Sequence, residues 1–271
     1  PMNHPTPANP GTGAPSGPVP GDVHEDERRR AARIHYSFLP GDYRDGGLHI
    51  SVLCRPYSEL GGDYCSVVPL EDGRVMVCLC DAVGHDVSSA LYAARINTFV
   101  LAHAPRAEHP CELVGLLNDF LCDALGDIGL FASFFVAILD PRAGVLDYAG
   151  AGHPPALHYR AAEPGVDLLR SESTVVGIER PAPLPCTAFT QPLEAGDKLV
   201  FYTDGVIEHE GDQGGAFGIP RLREFLRHHR GLPSPDFNRH LMASLTDFGS
   251  GPLRDDMLLV TVSLESLPGP G

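Results

Sequence analysis

Short apolar runs joined by hairpin turns, and interrupted twice by a pair of helix-length segments, constrain this chain more than any other feature. Residues 49–54, 64–69 and 74–81 are apolar or alternate with period two, and Glu71-Asp72-Gly73 between the last two is a hairpin signal. The period then changes. Val87, Ala90, Leu91, Ala94, Thr98 and Leu101 recur at helical spacing, and Leu113, Leu116, Leu117, Phe120 and Leu121 mark a second helix. Strands return at 131–139, 145–149 and 155–159, with Asp140-Pro141-Arg142-Ala143-Gly144 as a turn. Residues 161–185 read as loop, 186–192 and 198–203 as strands, 220–228 and 234–248 as helices, and 257–264 as a closing strand. Strands linked by hairpins argue against a doubly wound parallel sheet, and predict an α+β layered sandwich.

The flanks differ from this body. Residues 1–24 are rich in Pro and Gly with little to bury, and read as a disordered tail. Residues 25–40 read as a linker helix: Glu25, Asp26 and Glu27 lead, Arg28, Arg29, Arg30 and Arg33 follow, and Pro40-Gly41 stops it. Ala31, Ile34 and Phe38 form an apolar face, suited either to packing on its own domain or to a homodimer contact through residues 25–39. Residues 41–266 form the main domain and 267–271 a short tail.

Composition excludes several functions. Asp+Glu outnumber Lys+Arg by 35 to 20, a net charge of −15, so neither nucleic acid nor an anionic membrane is an expected partner. Lys198 is the only lysine and follows Asp197, so no phosphate-binding P-loop exists. Neither G-x-S-x-G nor H-E-x-x-H occurs. The seven cysteines show no C-x-x-C and read as reduced, which predicts a cytoplasmic protein. Cys78 and Cys80 are expected to pack in the core from one strand.

What remains is a set of aspartates at strand ends. Asp63 follows Gly61-Gly62 and opens a strand; Asp81 ends one; Asp204 ends another and precedes Gly205; Asp255 and Asp256 open the last. An aspartate at the tip of a buried strand is costly unless its charge is neutralised. Such tips converging in a sandwich would form a carboxylate cluster, and hard divalent cations relieve the repulsion within one. All-oxygen ligation suits Mg²⁺ or Mn²⁺.

These segments also resemble a family. Glu59-Leu60-Gly61-Gly62-Asp63-Tyr64, Asp81-Ala82-Val83-Gly84-His85-Asp86, Ala149-Gly150-Ala151-Gly152-His153-Pro154-Pro155, Tyr202-Thr203-Asp204-Gly205-Val206-Ile207-Glu208 and Arg254-Asp255-Asp256-Met257 look, in this order, like the bacterial stage II sporulation E-type phosphatases. Those belong to the metal-dependent PP2C-like (PPM) serine/threonine phosphatases. The resemblance covers about residues 25 to 265. It implies a β-sandwich of two antiparallel sheets flanked by pairs of α-helices, and removal of phosphate from serine or threonine of a protein. The implied partner is a phosphorylated anti-anti-sigma-factor-like protein. The implied cofactors are two Mn²⁺ or Mg²⁺ ions: Asp81 bridging them, Asp63 and the Ala82 carbonyl at one, Asp204 and Asp255 at the other, with Asp256 the weaker candidate of its pair. His85 is a candidate proton donor or, since Val83 stands where the eukaryotic PP2C branch places its histidine, a helix-start or hydrogen-bonding residue, the reading favoured of the two. His153 reads as a turn residue, and Asp86 as a helix cap or an outer charge. A non-catalytic phosphoprotein-binding regulator, or a dinuclear-metal hydrolase of a small phosphoester, would carry the same segments.

Overall fold

The computed structural model describes residues 20–178 and 185–266. Eleven strands form two antiparallel sheets among these residues. In chain order, α1 (Pro20–Tyr36) leads to β1 (Tyr43–Asp45), β2 (Leu48–Arg55), β3 (Asp63–Pro69) and β4 (Val75–Ala82). Helices α2 (Val87–His103) and α3 (Pro110–Leu125) follow, then β5 (Ala132–Asp140), β6 (Val145–Ala151), β7 (Ala156–Arg160), β8 (Gly165–Leu169), β9 (Phe189–Pro192) and β10 (Lys198–Tyr202). The chain closes with α4 (Asp204–Glu208), α5 (Gly218–His229), α6 (Ser234–Phe248) and β11 (Met257–Leu264). One sheet has the order β1-β2-β11-β10-β7-β8, the other β3-β4-β5-β6-β9.

The strands read as they do because both faces of each sheet are covered. Along β4, Val75, Val77 and Leu79 enter the core between the sheets, while Met76, Cys78 and Cys80 face α2 and α3. Along β10, Leu199 and Phe201 point between the sheets, while Val200 and Tyr202 pack toward α5 and α6. The result is four layers, helix pair on sheet on sheet on helix pair. Each fully buried Leu, Val or Phe of this core contributes roughly 1.5–3 kcal/mol. The expected sandwich with flanking helix pairs is therefore observed.

Several local expectations fail. Helix α1 starts at Pro20, inside the stretch read as tail, and ends at Tyr36; residues 1–19 and 267–271 lie outside the described residues. Its Ile34 is 62% exposed, and the inward residue is His35. The Val87, Leu91 and Leu101 stripe of α2 is likewise exposed, and the helix packs through Tyr92, Ala93, Ile96 and Val100. Residues 161–185 contain strand β8, which pairs with β7; residues 179–184 lie outside the described set. Cys111 and Cys186, 75 residues apart, form a disulfide that ties the start of α3 to the segment before β9, so the reading of all cysteines as reduced is corrected. The cytoplasmic expectation rests on that reading. Cys54, Cys65, Cys78, Cys80 and Cys122 are free, and Cys78 and Cys80 are core residues as expected.

At the end of the sandwich where β10 starts, the buried acid is supplied with donors. Asp197 accepts from His158 Nε2 (2.9 Å), Ala161 N (2.7 Å) and Glu194 N (3.0 Å). Lys198, 2% exposed, donates to the Leu232 carbonyl (2.9 Å) and to Ser263 Oγ, and its ammonium lies 5.6 Å from the Phe237 ring centre. Burial lowers its pKa to about 8.

Candidate active site

The other end of the sandwich is acidic, and strand parity puts it there. Asp63 shares its side of β3 with Cys65 and Val67, and Asp81 shares its side of β4 with Val77 and Leu79, so both carboxylates face the space between the sheets. Asp256 has the parity of Leu258 and Val260, and Thr203 that of Leu199 and Phe201. The inter-sheet core thus ends in a polar plug.

Within the plug, Asp63 and Asp81 are direct partners in the β3–β4 register. The next pair, Gly62 and Ala82, is joined by a hydrogen bond from Ala82 N to Gly62 O (3.2 Å). By the alternation of an antiparallel ladder, Asp63–Asp81 is then a non-hydrogen-bonded pair, the kind in which opposing side chains stand closest. Like charges in that position are destabilising. Burial, then Asp81, hold the Asp63 carboxyl well above the usual carboxylate range, against a hydrogen bond from Thr203 Oγ1 (2.6 Å). Burial pushes Asp81 up to about 8, with Asp204, Asp255, Asp256 and Glu208 adding to the rise. Burial, Asp255 and Glu208 raise Asp204 to about 6.

Asp256 is placed differently. It is 3% exposed, and its Oδ1 accepts from Tyr57 N (2.8 Å) and its Oδ2 from Gly62 N (3.1 Å). A Cβ on Gly61 would fall 2.0 Å from Asp256 Oδ2, and one on Gly62 would fall 2.4 Å from the Ala82 carbonyl oxygen, so side chains at 61 and 62 are excluded by contact. Both Asp256 oxygens serve backbone amides.

His85 is exposed at the rim with its ring 4.8 Å from that of Tyr57, and it makes no hydrogen bond to the aspartates. Asp86 caps α2, accepting from Ser88 N (2.8 Å) and Ser89 N (3.1 Å), which decides between its two readings. His153, read as a turn residue, has a structural role of a different kind. It is 5% exposed and bridges the sheets, with Nδ1 2.7 Å from Ser133 Oγ and Nε2 3.1 Å from the Tyr202 carbonyl. A carbonyl only accepts, so Nε2 carries the proton and the Ser133 hydroxyl donates to Nδ1. Burial holds this imidazole near a pKa of about 4. Ser133 is the β5 partner of Asp81, so the bridge lies directly behind the plug.

Beside Asp255 a cavity of about 370 Å³ opens, lined by Glu208, Glu210, Asp212 and Arg254, with Arg254 paired to Glu210 at 2.5 Å. Among the described residues, no three His, Cys, Asp or Glu side chains already stand at the spacing of a cation site. The carboxylates share one end of the sandwich. The residues not singled out from sequence are Thr203, which orients Asp63, and Glu208, which adds charge. Thr203 has the inward parity of β10, which is the signal available for it in the sequence.

The family model described as stage II sporulation protein E (SpoIIE) matches residues 71–265. The chain belongs to the SpoIIE family. Phosphoserine phosphatase RsbU of Bacillus subtilis (strain 168) is 24% identical over 219 residues, which cover 81% of this chain and 64% of RsbU. Phosphoserine phosphatase RsbP of the same organism is 24% identical over 191 residues, covering 69% of this chain and 45% of RsbP. The chain thus spans less than two thirds of the length of these curated relatives. Among solved structures, the SiaA-PP2C domain of Pseudomonas aeruginosa superposes with a TM-score of 0.75 at 22% identity, covering 89% of this chain and 97% of that one. The PP2C phosphatase domain of SpoIIE from Bacillus subtilis, with a fragment of its regulatory domain, gives 0.66 at 16% identity, covering 83% and 64%. These likenesses establish a PP2C-like fold for this SpoIIE-family chain. No helix among the described residues is long and apolar enough to cross a membrane.

Proposed function

We propose that the protein is a metal-dependent phosphoserine/phosphothreonine protein phosphatase. The observation that carries this reading is the Asp63–Asp81 pair, a buried and a half-buried carboxylate opposed in one ladder, with Asp204, Asp255 and Glu208 adding to the repulsion. Protonation or a cation can relieve such a pair, and the all-oxygen donor set suits Mg²⁺ or Mn²⁺. Asp81, Asp63 and the Ala82 carbonyl would hold one ion, and Asp81, Asp204 and Asp255 the other. Bound there, such ions supply a water of lowered pKa and neutralise phosphate charge.

The chain's own residues do the rest. Thr203 fixes one oxygen of Asp63 and leaves the other free. His153 ties β5, which pairs with the Asp81 strand β4, to the last residue of β10, two residues before Asp204, and so holds the two sheets together behind the acids. His85, exposed at the rim beside Tyr57, would be the proton donor to the departing serine oxygen. The acidic cleft repels phosphate in the absence of cations, which fits a net charge of −15 and a site without lysine.

The substrate we propose is a phosphorylated anti-anti-sigma-factor-like protein, supported by the chain's likeness to RsbU and RsbP. The test is hydrolysis of p-nitrophenyl phosphate and of a phosphoserine protein with Mn²⁺. Turnover of both, lost in EDTA and restored by Mn²⁺, is the expected result. Undiminished turnover in EDTA overturns the reading, and turnover of the small ester alone transfers it to small phosphoesters.

A further inference from the structure

We propose that Asp256 is a positioning residue that ligates no cation: its carboxylate draws the Gly62 amide out of the β3–β4 ladder and so frees the Ala82 carbonyl to face an ion. The inference rests on the metal-site reading above and assigns Asp256 a separate task within it.

In an antiparallel ladder the two residues of a hydrogen-bonded pair exchange both N–H···O=C bonds. Ala82 keeps its half of that exchange, donating to Gly62 O at 3.2 Å. The reciprocal donor, Gly62 N, points instead at Asp256 Oδ2, 3.1 Å away. The carbonyl of residue 82 is thereby released from the ladder one residue after Asp81, beside the Asp63–Asp81 pair. The second Asp256 oxygen is taken by Tyr57 N at 2.8 Å, so one carboxylate clamps the chain on both sides of Leu60-Gly61. Asp256 gives both oxygens to amides of the loop before β3, whereas Asp255 gives only Oδ1 to an amide, that of Asp256 (2.8 Å), and lines the open cavity. The clamp needs close contact: a Cβ at Gly61 would overlap Asp256 Oδ2, and one at Gly62 would overlap the freed Ala82 oxygen. Sheet-to-sheet anchoring alone does not require this arrangement, because Thr203 already links the β10 end to Asp63.

Asp256→Asn keeps the side chain's volume but offers one acceptor to two amides, so one bond is lost and an N–H opposes an N–H. Two readouts on the full chain decide the matter. Amide hydrogen exchange of the metal-free protein, resolved at Tyr57 and Gly62, shows protection in the wild type and its loss in the variant. Mn²⁺ binding, followed by electron paramagnetic resonance of the free ion, weakens by about 10- to 100-fold, the usual effect of an outer-shell partner. Asp255→Asn serves as the contrast, with weaker Mn²⁺ binding and unchanged protection at residues 57 and 62. Three results overturn the proposal: weakened Mn²⁺ binding with protection intact makes Asp256 a ligand; lost protection with unchanged Mn²⁺ binding makes it purely structural; rapid exchange at both amides in the wild type, which needs no folded variant, removes the clamp. A wild type that protects both amides yet binds no Mn²⁺ overturns the metal-site reading itself, and the positioning role with it.

Discussion

Strand β10 has an aspartate just beyond each end, and the two live in opposite electrostatic circumstances. Asp197, before the strand, is 3% exposed, and burial alone would push its carboxyl upward. Hydrogen bonds from His158 and from the amides of Ala161 and Glu194 outweigh that and leave it below the usual value. Asp204, after the strand, meets Asp255 and Glu208 instead, and burial first, then those two charges, raise its pKa to about 6. The same residue type is saturated with donors at one end of the strand and surrounded by acceptors at the other. A buried acid supplied with donors is part of the fold. Buried acids that face one another hold a deficit that the protein alone does not fill, and this marks the end where a positively charged ligand belongs.

The contrast breaks most sharply by removing one charge at each end. Asp81→Asn is expected to lower phosphatase turnover by about 10³-fold or more, while metal-free unfolding in urea shows equal or greater stability because a repulsion has gone. Asp197→Asn is expected to do the reverse, costing about 1–3 kcal/mol in the same urea titration, since buried donors lose a charged acceptor, with turnover per folded molecule retained. A destabilised Asp81→Asn or an inactive Asp197→Asn would erase the distinction.

Proton linkage sharpens it further. With the Asp81 pKa at about 8 in the folded protein, against the ordinary aspartate value of 3.8 in the unfolded chain, the metal-free fold retains a proton that the unfolded chain has released. Stability therefore falls as pH rises from about 4 to about 8. Asp197, with its pKa lowered, contributes stability that is present above 3.8 and lost as pH falls below it. His153 works against Asp81 in part of that window, because a buried imidazole near 4 loses stability as pH drops from 6.5. The clean measurement is thus a difference: wild-type minus Asp81→Asn stability in EDTA, expected to slope downward between about pH 4 and 8 and to be flat above.

The smallest effect is expected at His85. If it donates the leaving-group proton, His85→Ala alters the alkaline limb of the pH–rate profile and lowers kcat for a phosphoserine protein by about 10²-fold. An identical profile would leave it a rim residue in contact with Tyr57.

Much of this was legible in the chain because strand parity and charge are local. The period-two runs located all the long strands, and the aspartates at their tips followed. What escaped depended on the other side of a contact. Ile34 and Leu91 look like core residues along their helices, but the faces that pack are chosen by His35 against the Asp256 loop and by Ala93 and Ile96 against the sheet. Strand β8 is short and carries Asp167, so only its pairing with β7 reveals it. The Cys111–Cys186 link joins points 75 residues apart, and no spacing rule reaches that far. Asp255 and Asp256 are neighbours of identical chemistry. Their separation into a cavity-facing acid and one that holds two amides of the β3 entry loop rests on where that loop brings Tyr57 and Gly62.

Lys198 has a practical corollary. The one ε-amine in the sequence is sealed beneath α6, in contact with Leu232, Ser263 and the Phe237 ring. Amine-acylating reagents therefore find no lysine on the folded surface, and their rate of attack at this position clocks how often the β10–β11 layer lifts away from its helix. A single mass increment at residue 198 becomes a built-in timer of opening.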